Sequence, residues 1–166
     1  MKMLEAKIEG LALDMTTNTP VVVLSPLDID KVLPIWIGHA EAWAIAMELS
    51  NVGSNRPMTH DLLKRVIDTL GATVEKVEIT ELKEQTFYAL IHLDIGNGAE
   101  KVIDARPSDS LALALKTQAR IYVNEELFNQ RPDDSSGQAP DMPTDPESLR
   151  ERLRRINPED FGKYSL

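Results

Sequence analysis

The chain has 166 residues, of which 42% are hydrophobic, enough for one good core but leaving little length for a second independent domain. It contains no cysteine, which excludes disulfides, thiolate zinc sites and cysteine nucleophiles, so a metal would have to be held by oxygen or histidine. The net charge of −9 means that the average field repels nucleic acid and anionic membranes. A polyanionic partner therefore requires a local basic site or bridging cations.

Targeting signals and common nucleotide motifs are missing from the sequence. No apolar run approaches the roughly 18 residues of a membrane span, and the first residues lead into an alternating pattern instead of a signal-peptide block. We therefore expect a cytoplasmic protein with no membrane partner. The patterns GxxxxGK[ST], GxGxxG, HExxH and GxSxG do not occur, so nucleotide-loop, zincin and hydrolase-elbow mechanisms lack support.

The first half of the chain predicts three strands and a helix. Gly10 indicates a bulge in the first strand, and Pro34 indicates that the third strand lies at a sheet edge or contains a bulge. The helix is apolar over most of its circumference, which predicts that it is mostly buried. The predicted elements are strands at 4–15, 21–24 and 32–37 and a helix at 40–49.

A second helix is predicted over 60–70. Thr59 is a good N-cap for it, and Gly71 is a good residue to end it in the left-handed conformation. Its apolar stripe consists of Leu62, Leu63, Val66, Ile67 and Leu70.

The second half predicts three more strands and a buried helix. Ser108 is predicted as the N-cap of that helix, and Asp109 lies in its first turn, where the helix dipole favours an anion. The predicted elements are a hairpin of 73–82 with 86–95, a strand at 101–105, the helix from 108, a strand at 121–123 and one helical turn at 125–129.

Both halves thus contain three strands followed by a helix. Glu41 and Asp109 fall at matching helix-start positions, 68 residues apart, and we hold an internal strand-strand-strand-helix pseudo-repeat as a hypothesis. The predicted fold class is α+β, with mixed, largely antiparallel sheets packed with buried helices.

The composition changes after residue 130. We predict one domain over 1–130, then a flexible linker rich in Pro, Asp and Ser over 131–144. Residues 145–166 are predicted to form a short basic helix, 147–156, and a tail. The helix is too small to be stable alone, so it must dock on this chain or a neighbouring subunit, or fray.

Four segments in order resemble the bifunctional nuclease family, formerly a domain of unknown function. They are LPIWIG at 33–38, RPMTHDL at 56–62, TFYA at 86–89 and IDARPSDSLALA at 103–114. The resemblance covers about residues 1–130. It implies a compact α/β domain that self-associates, and a divalent-metal-assisted nuclease acting on RNA and DNA, an activity reported for plant members.

Carboxylates attached to these motifs are the predicted metal ligands. Phosphodiester hydrolysis uses hard cations that orient a water and stabilise the charge on phosphorus, so we predict Mg²⁺ or Mn²⁺. Asp104 and Asp109 are the principal catalytic candidates, with Glu41 and Asp61 as further ligands. If the chain is extended up to the helix, Asp104 and Arg106 project to the same face. The alternatives are structural: Asp109 complements a helix dipole, Asp104 pairs with Arg106, and Asp61 favours a helix start.

Five other side chains are candidates for chemistry or substrate contact. Arg106 and Arg56 suit a phosphate, although a guanidinium also fixes buried carboxylates. His60 is a candidate general base or metal ligand, and the alternative is a surface histidine in a helix's first turn. Ser108 and Tyr88 are candidate substrate contacts, and the alternatives are a helix cap and an apolar core or subunit interface.

Two functions remain open from the sequence. One is a metal-assisted nuclease that hydrolyses RNA, DNA or both, and the other is a non-catalytic oligomeric module that binds a ligand or partner. A homo-oligomer is expected in either case, because Leu33–Ile37 and the apolar helices offer more hydrophobic surface than one small core needs.

Overall fold

The computed structural model describes residues 1–130 and the backbone of residues 153–155. The chain order is β1 Met3–Asp14, β2 Thr19–Pro26, β3 Leu33–Trp36, α1 His39–Leu49, α2 Thr59–Thr69, β4 Thr73–Lys83, β5 Thr86–Asp94, β6 Glu100–Ala105, α3 Pro107–Thr117, β7 Arg120–Asn124, a 3₁₀ turn Glu125–Phe128 and β8 Leu153–Arg155. The predicted strands, helices and final helical turn in 1–130 are therefore confirmed, with ends shifted by a few residues.

The strands form one sheet in the order β3-β2-β1-β7-β4-β5-β6. Two antiparallel three-stranded units, β1-β2-β3 and β4-β5-β6, flank the short strand β7. β7 is antiparallel to β1 and parallel to β4. The prediction of an α+β fold with a mixed, largely antiparallel sheet is confirmed.

Local chemistry explains the irregularities of the sheet. The pairing of β1 with β2 shifts register between Ile8 and Gly10, which confirms the bulge. Pro34 lies in the edge strand β3, so its missing N–H removes no backbone hydrogen bond from the interior of the sheet. Glu84 and Gln85 connect β4 to β5 with φ of 47° and 61°, the left-handed pair that a two-residue hairpin turn needs.

The three helices pack against the sheet around α3. α3 contacts both α1 and α2, and most of its residues are buried, as predicted. Its apolar side chains join those of the strands in one core, and the largest fully buried ones are Leu24, Ile45, Ile79, Leu111, Leu113 and Leu127. None of the helices in the described ranges is both long and apolar enough to cross a membrane.

The outer helices are less buried than their sequences predict. α1 buries only Ala42, Ile45 and Ala46, so the prediction of a mostly buried helix was wrong. On α2 the predicted apolar stripe is largely exposed, with Ile67 buried but Val66 47% exposed. Both helices lie beside α3 at the outside of the helical layer, where each has one packed side.

Two predicted N-caps were wrong by one or two positions. Thr59 is the first helical residue of α2, and Met58 is the N-cap, with its N–H donating to Asp61 Oδ2 at 2.9 Å. Ser108 is the second residue of α3, because Pro107 occupies the first position and Arg106 is the N-cap. Proline suits that first position, where no helical hydrogen bond is lost.

The two halves share the element order that the sequence predicts. β1-β2-β3 precedes α1, and β4-β5-β6 precedes α3, while α2 lies between the halves. Glu41 and Asp109 are each the third residue of their helix. Equivalent strand-to-helix junctions therefore bring two acidic first-turn residues to one side of the sheet.

The C-terminal segment differs from the predicted helix where it is described. Leu153–Arg155 is a strand that pairs antiparallel with Ala12–Asp14 of β1. β7 pairs only with Met3–Ala6, so the later part of that edge of β1 is open to another strand. The helix prediction was therefore wrong at 153–155. The rest of the predicted linker, helix and tail lies outside the described residues.

Candidate functional site

Arg106 is held by two carboxylates at the start of α3. Its Nη2 lies 2.9 Å from Glu41 Oε1, and its Nε donates to Asp109 Oδ2 at 2.8 Å. His60 Nε2 lies 3.0 Å from the other oxygen of the same aspartate, Asp109 Oδ1. We call Glu41, His60, Arg106 and Asp109 the Arg106 cluster.

The backbone explains why both acids reach Arg106. Gly38 is the N-cap of α1, and a Cβ atom at this position would overlap Glu41 Oε2. The carboxylate therefore folds back over a residue without a side chain. Pro107 starts α3, which places Asp109 one turn ahead of the guanidinium, and the dipole of α3 favours its charge.

His60 is oriented by Asp109. It lies in the first turn of α2 and is 9% exposed. Because a carboxylate only accepts, Nε2 carries the proton in this contact, and the neutral ring has its lone pair on Nδ1. Asp109 thus fixes the tautomer of a histidine that can take up a proton at Nδ1.

The carboxyl of Asp109 stays ionised within the cluster. Burial alone would raise the pKa of Asp109, but hydrogen bonds and charge from Arg106 and His60 outweigh it and hold the pKa below its usual value. The cluster thus sets two carboxyl groups, those of Glu41 and Asp109, against one guanidinium.

A large cleft of about 390 Å³ lies beside His60, between α1 and the start of α2. Four basic side chains line it, and only two acidic ones do. The basic ones are Arg56, Lys64, Arg65 and Lys116, and the acidic ones are Glu48 and Asp61. Arg56 makes no ion pair within the described residues, so its guanidinium is available to a ligand. Lys116 is paired with both of these acids and Lys64 is paired with Asp68, so within the described residues Arg56 and Arg65 are the lining cations without an ion pair. We call this the basic cleft.

A small cleft of about 330 Å³ lies at the start of α3. Arg106 and Ser108 line it together with Gly38, Ile37 and Phe87. The Trp36 indole lies on the other face of β3, where it donates to Asp14 Oδ2 at 3.1 Å and packs on three valines. Within the cluster, His60 thus lines the basic cleft and Arg106 lines the small cleft.

The structure separates the other predicted ligands from the cluster. Ala105 and its cross-strand partner Ala89 pack on the core under the helices, so Asp104 faces the opposite side of the sheet. Arg106 keeps an extended backbone, with φ of −71° and ψ of 146°, and its guanidinium contacts Glu41 and Asp109; within the described residues it makes no ion pair with Asp104. Asp61 lies at the large cleft, where Lys116 Nζ is 2.6 Å from its Oδ1.

Tyr88 is also outside the cluster. It alternates with Ala89 on β5 and so points away from the helices, where it is 39% exposed. Lys83 Nζ lies 6.0 Å from its ring centroid. The aromatic side chain that reaches the small cleft is its neighbour, Phe87.

Comparison with known proteins gives one family. The model of the bifunctional nuclease domain matches residues 22–135, more than half of the chain. The chain belongs to the bifunctional nuclease family. The match spans all four segments that carry the resemblance, and each of them contributes to the cluster or its two clefts. At the level of the family, this supports a nuclease activity.

Known relatives of this chain differ in how much of it they match. An uncharacterized protein of Mycobacterium tuberculosis is 38% identical over 163 residues, covering 95% of this chain and 97% of its own length. Bifunctional nuclease 1 of Arabidopsis thaliana is 30% identical over 111 residues, which are 65% of this chain and 34% of that protein. Bifunctional nuclease 1 of Oryza sativa subsp. indica is 29% identical over 100 residues, 59% of this chain and 30% of its own. The chain thus spans about a third of these plant relatives.

Few side chains at the Arg106 cluster could bind a metal ion. Within the described ranges, no three His, Asp or Glu side chains are arranged to hold an ion by themselves. Glu41 and Asp109 are nevertheless two carboxylates at one place, and Mg²⁺ is commonly held by one or two carboxylates together with substrate phosphate. Both oxygens of Asp109 and Oε1 of Glu41 already contact Arg106 or His60, so these residues do not form a closed protein site, and a cation here would need substrate oxygens to complete its coordination.

Sequence reasoning missed several residues of this site. Lys64, Arg65 and Lys116 line the basic cleft, and Gly38 gives the Glu41 carboxylate its room. The helical spacing of Lys64 and Arg65 after His60 was a usable signal, since they follow it by about one turn. The position of Lys116 depends on the packing of three helices, which no local pattern reports.

Proposed function

We propose that this chain hydrolyses phosphodiester bonds of RNA and DNA at the Arg106 cluster. The observation that carries the proposal is the chain of contacts from Arg106 through Asp109 to His60, with His60 at the basic cleft and Arg106 at the small cleft. Membership of the bifunctional nuclease family supports the same class of reaction.

The basic cleft supplies the attraction that the whole chain lacks. Arg56 offers a planar fork to a phosphate, and Lys64 and Arg65 add positive charge along the same cleft. A strand of nucleic acid would lie with its backbone in the large cleft and reach the cluster at His60. Its binding should weaken with salt, because phosphate contacts release counterions.

His60 is the proposed general base. A water attacks phosphorus while Nδ1 of His60 takes its proton, the bond from phosphorus to the leaving oxygen breaks, and that oxygen takes a proton from solvent. The products are a phosphomonoester and an alcohol. Asp109 stabilises the imidazolium that forms, and Arg106 stabilises the charge that grows on the phosphate oxygens.

A divalent cation, Mg²⁺ or Mn²⁺, is part of this proposal. Glu41 and Asp109 would hold it, and it would offset the excess negative charge of the two carboxylates next to a phosphate. Asp104 is not assigned to this set, because it lies on the other face of the sheet.

The test compares His60→Asn with His92→Asn. His92 is equally buried, 9% exposed, and is held by Glu78 and Glu100 away from the cluster. We expect His60→Asn to lower kcat on single-stranded RNA and DNA by 10²- to 10⁴-fold, the usual contribution of a general base. His92→Asn should retain kcat. Equal loss in both variants, or no turnover by the wild type with Mg²⁺ or Mn²⁺, contradicts the proposal.

A second candidate function is self-association or partner binding. The surface that suggested it from sequence, Leu33–Ile37, is largely buried inside the chain itself. Instead, one face of α2 and its C-cap carries a group of exposed apolar side chains, among them Leu62, which is 56% exposed, and Leu70, which is 78% exposed. We propose that this face of α2 associates with a second copy of the chain.

A further inference from the structure

A mostly buried serine at the small cleft has a hydroxyl with no protein partner. Ser108 is 6% exposed, lines the cleft, and makes no side-chain hydrogen bond with any part of the chain that the structure describes. Unlike the Ser25 oxygen, the Ser108 oxygen is not fully enclosed by protein, so it opens into the cleft and is placed to bond to a ligand there.

Two helices begin at the same cleft, and neither has a side-chain cap. Gly38, the N-cap of α1, and Pro107, the first residue of α3, both line it. The amides of Ser108 and Asp109 in the first turn of α3 therefore have no acceptor within residues 1–130. Free first-turn amides at the positive end of a helix form a binding site for phosphate.

Arg106 adds unused donors at the same place. Its Nε and Nη2 are engaged by Asp109 and Glu41, whereas its Nη1 has no contact among the described residues. The side chain is 64% exposed and lines the cleft. A phosphate at this position can thus be bound by the Ser108 hydroxyl, the amides and Nη1 together.

The remaining wall of the cleft suits a nucleobase. Phe87 and Ile37 provide aromatic and aliphatic surface, and the volume of about 330 Å³ is within the range of small-ligand sites. Bases stack on aromatic side chains without strong sequence preference.

We propose that the small cleft binds one nucleotide, with its phosphate on Ser108, the first-turn amides of α3 and Arg106, and its base against Phe87. The choice of a nucleotide over another phosphate ester rests on the proposed nuclease function. Because the base must leave any duplex to enter the cleft, the preferred substrate is single-stranded.

The test is a binding titration that requires no turnover. The readout is isothermal titration calorimetry, because the Trp36 indole packs on the other face of the sheet and is not placed to report on the cleft by its fluorescence. The full chain is titrated with uridine 5′-monophosphate, with uridine and with inorganic phosphate. We expect saturable binding of the nucleotide and at least tenfold weaker binding of the other two.

Two matched variants locate the binding. Ser108→Ala should weaken nucleotide binding about five- to tenfold, the effect of one lost hydrogen bond. Ser25→Ala should leave it unchanged, because Ser25 is a buried serine, 5% exposed, whose hydroxyl is also unpaired but which lies outside the cleft. If Ser108→Ala does not fold, Phe87→Leu serves instead, and it should weaken the nucleotide more than inorganic phosphate.

The possible outcomes distinguish nucleotide binding in the small cleft from the proposed nuclease activity. If the wild type binds the nucleotide more tightly than Ser108→Ala but cleaves neither RNA nor DNA, nucleotide binding in the small cleft is supported and the proposed nuclease activity is overturned. If the wild type cleaves RNA or DNA but does not bind the nucleotide, nucleotide binding in the small cleft is overturned and the proposed nuclease activity is supported. Equal binding to the wild type and Ser108→Ala, or equal affinity for uridine and its monophosphate, also overturns the cleft.

Discussion

Lys116 Nζ lies 2.6 Å from Asp61 Oδ1, an ion pair that joins the last turn of α3 to the first turn of α2. The same ammonium lies 2.9 Å from Glu48 Oε2 of α1. At the other end of α3, Arg106 contacts Glu41 of α1. The three helices are therefore tied together at both ends of α3.

Removal of the Lys116 ammonium should loosen the start of α2. Lys116 is 14% exposed, and Lys116→Met leaves two carboxylates facing each other in a partly buried place. We expect a loss of about 1.5–3 kcal/mol in the free energy of unfolding, measured by urea denaturation. Lys64→Met is the control, because its exposed pair with Asp68 should contribute less than about 0.5 kcal/mol. Similar losses of unfolding free energy in the two variants would contradict a larger contribution from the ion pairs of Lys116.

The Gly38 position can be tested by adding a single methyl group. Gly38→Ala places a Cβ against Glu41 Oε2, and the backbone itself is unstrained, since φ is −72°. The carboxylate has to leave Arg106, so we expect kcat to fall about tenfold, which corresponds to roughly 1.4 kcal/mol, with little change in Tm. Gly10→Ala is the control, because a Cβ there meets no atom within 4 Å. Full activity in Gly38→Ala would exclude a role for the Glu41 contact.

The strand and helix pattern could be read from the sequence because it depends on local properties. Alternating residues in β1 and the polar turn before Thr86 specify their structures within a few residues. The side of the sheet that Asp104 faces could not be predicted, because it depends on pairing with Leu90 across the strand.

The exposed apolar stripe of α2 shows a second limit of prediction from the sequence. Its apolar spacing correctly predicts a helix, but spacing does not state whether the apolar face has a partner within the same chain. The Arg106 cluster was partly predictable, since the shared element order aligns Glu41 with Asp109. The contact of His60 with Asp109 joins residues 49 apart and required the helix packing.

Acid should remove the stabilisation that Glu78 provides. Burial would raise the pKa of Glu78, but hydrogen bonds from Lys76 and His92 outweigh it and hold the pKa below its usual value of 4.5. Glu100 also contacts the same histidine. A carboxyl with a lowered folded-state pKa stabilises the fold above the unfolded pKa, and this is lost as pH falls through the folded value.

Glu78→Gln should therefore be less stable than the wild type at pH 7, by about 1.5–3 kcal/mol. The difference should shrink as the pH falls below the usual pKa of 4.5 and through the lowered folded-state pKa, because the wild-type carboxyl is then protonated too. Urea denaturation at pH 7 and pH 3 measures it. Glu81→Gln, whose carboxyl is 41% exposed, is the control and should show a small difference at both values. A pH-independent loss in Glu78→Gln would exclude the electrostatic explanation.

The α2 face should control the oligomeric state. If two copies bury this face, light scattering at micromolar concentration gives a multiple of 18.5 kDa for the wild type. Val66→Glu places a charge in the centre of the apolar face and should return the mass to that of one chain. Val102→Glu, at a residue that is 50% exposed on the edge strand β6, should leave the oligomer intact. Dissociation by Val102→Glu alone would place the interface at β6.

Chelation and two aspartate variants decide the role of the metal. If Glu41 and Asp109 hold a cation with the substrate phosphate, excess EDTA abolishes cleavage, and added Mg²⁺ or Mn²⁺ restores it. Asp109→Asn should lower kcat/KM by at least 10²-fold, because it removes a ligand and the partner of both His60 and Arg106. Asp104→Asn should stay within a few-fold of the wild type, since that side chain faces the other side of the sheet. Activity that persists in EDTA, together with the loss in Asp109→Asn, would assign catalysis to His60 and Arg106 without a metal. Loss in Asp104→Asn at unchanged Tm would contradict the separation of Asp104 from the site.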